Sequence, residues 1–189
     1  MTVLRLLLPS HAVVVLCGPA AAGKSTFAAR HFGAYEILSS DALRGWIAGN
    51  EADQSASPMA FRLLRALLRE RARRGVLTAV DSTALDPRTR RGFLRIARQW
   101  GRPTVLVCFD TPPRESERRN VARPRVVPSD ALAVQHLRMQ RVLARAPSEG
   151  WDAVCVVTPE DTVVVERASP TARPASPTRA DGTPDPNAR

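Results

Sequence analysis

Lysine is almost absent from this sequence: of 28 basic residues, Lys24 is the only one that is not arginine. No apolar run reaches the ~18 residues that a membrane-spanning helix needs, so we expect no membrane segment. The three cysteines each lie inside an apolar run, which favours buried thiols in a reducing cytoplasm over disulfides. With three histidines and no closely spaced cysteine pair, a zinc site is not expected.

Length and charge set the next limits. The 189 residues suffice for one domain with a sizeable core, and 44% hydrophobic and 24% charged residues are ordinary for a globular protein. A net charge of +10 is compatible with a nucleic-acid partner, but the arginine bias can equally follow from genome base composition. A cytoplasmic location is expected; the alternative, an N-terminal signal peptide, would remove the apolar run that leads into the motif described below.

Short apolar runs alternate with stretches of helical periodicity. The runs that read as buried strands are residues 13–17, 35–38, 76–80, 104–109 and 153–157. Helical spacing or helix-boundary residues mark the segments 57–75, 87–100 and 129–145 between them. This alternation predicts an α/β fold with about five mostly parallel strands and helices on both faces.

The composition changes near residue 160. Five prolines lie among Ala, Ser, Thr and Arg in the last 30 residues, after a short VVV run that could form a terminal strand. We therefore predict one phosphate-binding domain over residues 1–159 and a disordered tail over residues 160–189.

The stretch GPAAAGKST, residues 18–26, has the pattern of a loop that wraps a polyphosphate. Its members are Gly18, Pro19, Ala20, Ala21, Ala22, Gly23, Lys24, Ser25 and Thr26. A strand-like run precedes it and a helix-compatible run follows, so backbone amides would point at the phosphates from the positive end of a helix. Lys24 would reach the β- and γ-phosphates, and the Ser25 hydroxyl would bind Mg²⁺, which predicts ATP and Mg²⁺ as ligands.

Asp41 and Arg44 follow the predicted second strand in SSDALR. A carboxylate just beyond the carboxyl end of a strand lies where open α/β sheets bind ligands, and it could accept the proton of an attacking hydroxyl while the guanidinium binds phosphate. The alternative is that Asp41 caps a helix and Arg44 pairs with it on the surface.

Asp81 ends the third strand in VDST, where an acidic residue orients the water shell of Mg²⁺. The alternative is that Asp81 caps the following turn.

Arginines cluster in ERRNVARPR, residues 117–125, after the fourth strand. They fit a basic lid that closes on a triphosphate, although a solvated helix face is the ordinary explanation for such a run.

Six blocks in this order resemble the kinase module of the bacterial polynucleotide kinase-phosphatase family, and more distantly the phage polynucleotide kinases. The blocks are GPAAAGKSTFAARHF, EILSSDALRG, EADQSAS, GVLTAVDST, RRNVARP and SEGWDAVCVV, spread over about residues 11 to 159. The resemblance implies a P-loop kinase fold with a small basic lid and an ATP-dependent kinase whose substrate is a nucleic-acid 5′-hydroxyl end.

The resemblance also implies roles for individual residues. It makes Asp41 the general base, Arg44 a phosphate-binding residue at the reaction centre and Arg119 the lid arginine that grips the nucleotide. Arg123 is a second lid candidate, and Gln54 a candidate for the acceptor pocket.

Three departures from the family are visible. Ala84 stands where the family tends to carry Asn, the lid after residue 124 is shorter and less polar, and no phosphatase or ligase domain follows the module. If the chain acts in nucleic-acid repair, those steps are expected from separate proteins.

Two other classes stay open. A P-loop phosphotransferase acting on an antibiotic, a sugar acid or a nucleotide-sugar would keep the same loop, base and lid. Nucleic acid requires basic residues beside Asp41 and Arg44, whereas a small metabolite requires a closed polar pocket. A nucleotide-sensing scaffold would not need Asp41.

Overall fold

A five-stranded parallel sheet forms the centre of the protein, described here from a computed structural model over residues 3–123, 125–168 and 178–179. In chain order the strands are β1 (Val3–Pro9), β2 (Val13–Cys17), β3 (Ile37–Ser39), β4 (Thr78–Asp81), β5 (Thr104–Phe109), β6 (Ala153–Val157), β7 (Thr162–Ala168) and β8 (Thr178–Arg179). The central sheet has the order β3-β4-β2-β5-β6, and every neighbouring pair in it is parallel.

Six α-helices connect these strands in the described part of the chain. They are α1 (Lys24–His31), α2 (Ser40–Ala48), α3 (Ser57–Arg74), α4 (Pro87–Gln99), α5 (Pro113–Val121) and α6 (Ser129–Arg145). Short 3-10 turns cover Ala34–Glu36, Gln54–Ala56 and Ala146–Ser148. None of the helices in the described part of the chain is long and apolar enough to cross a membrane.

The residues of β2 alternate between two hydrophobic clusters because successive side chains of a strand point to opposite faces. Val13, Val15 and Cys17 pack with α3, α4 and α6 on one face. Val14 and Leu16 pack on the other face, where α1 is joined by apolar residues of β1 and β7. The predicted five-stranded α/β fold with both faces covered is therefore confirmed.

The small sheet on the second face was not predicted. β1 pairs in parallel with β7 and antiparallel with β8, so the LRLLL segment near the N-terminus forms a strand of the fold. The tail boundary at residue 159 was wrong for residues 162–168, which form β7; most of the remaining tail lies outside the described residues.

Two strand boundaries were also wrong. Residues 34–36, partly assigned to the second strand, form a 3-10 turn, and β3 begins only at Ile37. The third strand begins at Thr78 rather than at residue 76 and includes Asp81.

An ion pair is buried where α4 meets the end of α6. The Arg90 side chain is 2% exposed, and its Nε and Nη2 both donate to the Glu149 carboxylate, while Nη1 donates to the Ala84 carbonyl at 2.8 Å. Trp151 Nε1 donates to the same carboxylate at 3.1 Å.

We predict that Glu149→Ala lowers the free energy of unfolding by about 3 kcal/mol, because it leaves the Arg90 guanidinium buried without its counter-charge. Urea denaturation followed by circular dichroism measures this change. The control is Glu70→Ala, which removes a carboxylate paired with Arg73 and Arg74 on an exposed helix face and should shift the midpoint far less. Equal shifts in the two variants would contradict the prediction.

Candidate functional site

A cleft of about 860 Å³ opens at the carboxyl ends of β2, β3 and β4. Its walls come from the loop after β2, the first turns of α1 and α2, the end of β4, the basic run after β5, and the segment after β6. The predicted residues that line it are Ala20, Ala21, Ala22, Gly23, Lys24, Ser25, Thr26, Asp41, Arg44, Gln54, Asp81, Arg119 and Arg123. Gly18 and Pro19 belong to the loop but do not line the cleft.

The two glycines of the loop are required for different reasons. A Cβ on Gly18 would lie 3.0 Å from the Cβ and 3.2 Å from the carbonyl oxygen of Phe109, so the loop passes too close to β5 for a side chain. Gly23 has φ +101°, a left-handed conformation that glycine adopts without steric cost. Gly23 also precedes α1, whose first turn receives no side-chain cap. Backbone amides at the start of α1 are therefore available to an anion.

Lys24 lies at the base of this loop and is 8% exposed. Its Nζ donates to the carbonyl oxygens of Gly18 at 3.0 Å and of Pro19 at 2.6 Å. Burial lowers the pKa of Lys24 from its ordinary value, and the nearby charge of Asp81 opposes that shift. The ammonium is thus held beside the loop by two groups that a phosphate oxygen could replace.

Asp81 is the last residue of β4 and lines the cleft together with Ser25. Burial raises the pKa of Asp81, while the nearby Ser25 hydroxyl and the charge of Lys24 act to lower it. The cap of α4 is Asp86, whose Oδ1 accepts from the Arg88 amide at 3.0 Å. The Ser25 hydroxyl and the Asp81 carboxylate, which both line the cleft, are oxygen donors suited to Mg²⁺ and its water shell.

Asp41 lies in the first turn of α2, but it does not cap that helix. The cap is Ser39, whose hydroxyl accepts from the Ala42 amide at 3.3 Å. Asp41 Oδ1 instead accepts from Arg44 Nη2 at 2.6 Å and from the Ser40 hydroxyl at 3.2 Å. The Arg44 side chain is 7% exposed and that of Asp41 44%, so a buried guanidinium orients a carboxylate that is open to the cleft.

Arg125 was part of the predicted basic run but was not named as a site residue. Its Nη1 lies 4.0 Å from Asp41 Oδ2 and donates to the Glu51 carbonyl at 3.2 Å. Arg44 Nε donates to the same carbonyl at 2.9 Å. Arg44 and Arg125 therefore share the Glu51 carbonyl and lie beside the same Asp41 carboxylate. The spacing of these residues in the sequence does not reveal this arrangement.

The basic run divides into a helical part and a loop. Arg119 lies on α5, and its Nε donates to the Glu115 carboxylate at 2.7 Å. Its Nη1 lies 3.5 Å from the position that a Cβ on Gly23 would take, so the guanidinium lies next to the phosphate loop. The buried Asn120 side chain donates to the Val127 carbonyl at 2.8 Å and accepts from its amide at 3.0 Å. This pair of hydrogen bonds closes the loop that carries Arg123 and Arg125 into the cleft.

Two further cleft residues were missed by the sequence analysis. Gln135 of α6 accepts from the Ala20 amide at 2.7 Å, and the Thr111 hydroxyl donates to the Ala22 carbonyl at 3.0 Å. Both contacts support the phosphate loop from elements more than 85 residues away in the chain. A lone glutamine in a helix carries no pattern that would have identified it.

The predicted acceptor-pocket residue Gln54 lines the cleft on the wall that the start of α3 and the turn before it form. Its Oε1 accepts from the Ser57 hydroxyl at 3.2 Å, and Ser57 and Phe61 line the same wall. The wall therefore combines an amide, a hydroxyl and an aromatic ring.

Comparison with known proteins agrees with this geometry. Residues 13–146 match the AAA domain family, which is more than two thirds of the chain. A search of curated proteins returns no match.

Three of the solved structures that match this chain illustrate the shared fold. The toxin-antitoxin system PezAT of Streptococcus pneumoniae superposes with a TM-score of 0.58 at 14% identity, covering 80% of this chain and 69% of that one. A putative kinase from Chloroflexus aurantiacus gives 0.53 at 16% identity, covering 79% and 88%. A gluconokinase from Sinorhizobium meliloti gives 0.51 at 17% identity, covering 82% and 86%. At these identities the likeness establishes the fold that the chain shares with kinases.

We predict that Gly23→Ala weakens binding of an ATP analogue by about 10-fold, because a left-handed conformation costs an L-residue roughly 1–2 kcal/mol. The matched control is Gly92→Ala in α4, where nothing lies within 4 Å of the added Cβ. That change should leave nucleotide affinity unaltered and stabilise the protein by about 0.5–1 kcal/mol. Calorimetric titration and thermal unfolding measure the two effects, and unchanged affinity in Gly23→Ala would contradict the prediction.

Proposed function

Since the chain belongs to the AAA domain family and shares the fold of kinases, we propose that it is an ATP-dependent phosphotransferase that phosphorylates a hydroxyl group of a small anionic molecule. The observation that carries the proposal is Asp41, an open carboxylate held by Arg44 in the same cleft as the phosphate loop.

The donor half of the reaction rests on the loop of residues 18–26. Lys24, the amides of the first turn of α1, and Arg119 surround the space where the triphosphate would lie. Ser25 and Asp81 would hold Mg²⁺, directly and through water, and the ion would neutralise part of the phosphate charge. These groups account for the binding of ATP without specifying what receives its phosphate.

The acceptor half begins at Asp41. The acceptor hydroxyl gives its proton to the Asp41 carboxylate as its oxygen attacks the γ-phosphorus in line. The new O–P bond forms as the bond between the γ-phosphorus and the β–γ bridging oxygen breaks, and ADP leaves. Lys24, Arg44 and Arg119 stabilise the charge on the transferred group.

An anionic acceptor follows from the charges around Asp41. Arg44 and Arg125 line the cleft beside Asp41, and the only carboxylate they meet in the hydrogen bonds and ion pairs of the described residues is Asp41. Arg123 lines the same cleft. Gln54 and Ser57 add neutral hydrogen-bonding groups that suit hydroxyls. Of the small-molecule acceptors considered from the sequence, a sugar acid or a nucleotide-sugar fits this wall, and one structural neighbour is described as a gluconokinase.

We expect Asp41→Asn to reduce turnover by at least ~10²-fold while the affinity for an ATP analogue changes little, because the amide keeps the shape of the side chain but cannot accept the proton. Transfer of labelled γ-phosphate and calorimetric titration measure the two quantities. Asp130→Asn, a change at an exposed position in the first turn of α6, serves as the control. Normal turnover in Asp41→Asn would refute the base assignment.

A polynucleotide 5′-hydroxyl end is the second candidate acceptor. It is favoured by Arg125, a basic residue beside Asp41 as a nucleic-acid end would require, by Arg123 in the same cleft, and by the six-block resemblance described above.

The acceptor is best identified by offering Mg²⁺ and γ-labelled ATP with sugar acids, nucleotide-sugars, aminoglycosides and 5′-hydroxyl RNA and DNA oligonucleotides. We expect labelling of an anionic small molecule. Labelling of oligonucleotides alone would establish the second candidate, and labelling of neither class would contradict both.

Arg125→Gln tests the charge argument. It should raise the KM for the anionic acceptor by about 10-fold, since a hydrogen bond to a charged group contributes roughly 1.5–3 kcal/mol, and should leave the KM for ATP unchanged. Arg114→Gln, an exposed arginine of α5 outside the cleft, is the control. An equal effect on the KM of ATP would place Arg125 at the nucleotide instead.

A further inference from the structure

A second concavity, of about 440 Å³, lies between the start of α4 and the second half of α6. We call it the arginine pocket; its lining residues are Leu85, Asp86, Pro87, Arg90, Arg138, Arg141, Val142 and Arg145. It shares no lining residue with the cleft. The loop after β4 separates the two, because Ser82 and Thr83 face the cleft while Leu85 and Asp86 face the arginine pocket.

Three arginines of this pocket project from α6 at positions 138, 141 and 145, a spacing that places them on one side of the helix. Their side chains make no hydrogen bond or ion pair with any residue in the described part of the chain. On α3, by contrast, Glu70 pairs with Arg73 and Arg74. The only acidic residue of α6 is Asp130, eight positions before Arg138.

The carboxylates nearest the pocket are already engaged. Asp86 accepts from the Arg88 amide and from the Thr89 hydroxyl at the start of α4. Glu149 is occupied by the buried Arg90 and by Trp151. Among the described residues, Asp86 is therefore the one carboxylate in the lining, and the three α6 arginines face the same concave surface.

The rest of the lining favours a small ligand. Leu85, Pro87 and Val142 give the pocket apolar walls, and apolar walls with a few charged groups are typical of small-molecule sites. A guanidinium binds phosphate oxygens in bidentate geometry, and three of them on one wall match a group with several such oxygens.

We propose that the arginine pocket is a second anion site that binds the diphosphate group of a small molecule, separate from the nucleotide cleft. The diphosphate could be free pyrophosphate or part of a nucleoside diphosphate. Nucleic acid fits less well, because its backbone needs an extended basic track, whereas these arginines lie around one concavity.

Calorimetric titration with pyrophosphate, without Mg²⁺, tests the proposal by counting sites. We expect two binding events in the unaltered protein, one after Lys24→Ala, one after Arg138→Gln with Arg141→Gln, and none when the changes are combined. Each removed guanidinium should weaken the arginine-pocket event by at least ~10-fold. A parallel titration with ADP shows whether a nucleoside adds to or subtracts from affinity at this site.

Arg69→Gln, an exposed arginine of α3 with no ion pair among the described residues, controls for the loss of overall positive charge. A single event in the unaltered protein, or an equal loss in Arg69→Gln, would overturn the proposal. So would a 12-nucleotide single strand whose binding depends on Arg138 and Arg141 when pyrophosphate binding does not, because the surface would then be a nucleic-acid track.

Discussion

The register of three neighbouring parallel strands determines where the functional groups meet. Asp81 at the end of β4 lies opposite Leu16 of β2 on one side and opposite Ser39 of β3 on the other. The chain leaves β2 into the phosphate loop and leaves β3 into the turn that carries Asp41. Because parallel strands end at the same edge, this register brings the loop, the Asp81 carboxylate and the Asp41 carboxylate to one cleft.

The basic side chains of the cleft differ in how deeply they are buried. Lys24 and Arg44 are buried and held by backbone carbonyls and by Asp41, whereas Arg119 and Arg125 are partly exposed on the basic run after β5. The buried pair is oriented before any ligand binds, so little is lost in ordering it. The partly exposed pair lies on a short helix and on the loop closed by Asn120, and both side chains line the cleft.

Much of the fold could be predicted because its signals are local. The β-branched runs at residues 13–17, 104–109 and 153–157 became strands with the predicted bounds, and the helix over residues 129–145 was also correct. The prediction failed for segments whose secondary structure depends on pairing with residues far away in the chain. β1 has hydrogen-bonded partners more than 150 residues away, and nothing near it in the sequence indicates a strand paired with β7.

The candidate site shows the same division. The glycine and lysine pattern of residues 18–26 determined the phosphate loop, because the loop conformation depends on residues that are adjacent in the chain. The sequence alone also located Asp41, Arg44, Asp81 and Arg119 as candidates, but for Asp41 it left a choice between a helix cap and a site residue. The tertiary structure excluded the cap, because Ser39 occupies that position, and it showed Asp41 paired with Arg44 at the cleft, whereas the role of Asp41 as the base stays a prediction. It alone brought Arg125 beside Asp41 and Gln135 onto the Ala20 amide, because these contacts join segments far apart in sequence through the packing of helices and loops around the sheet.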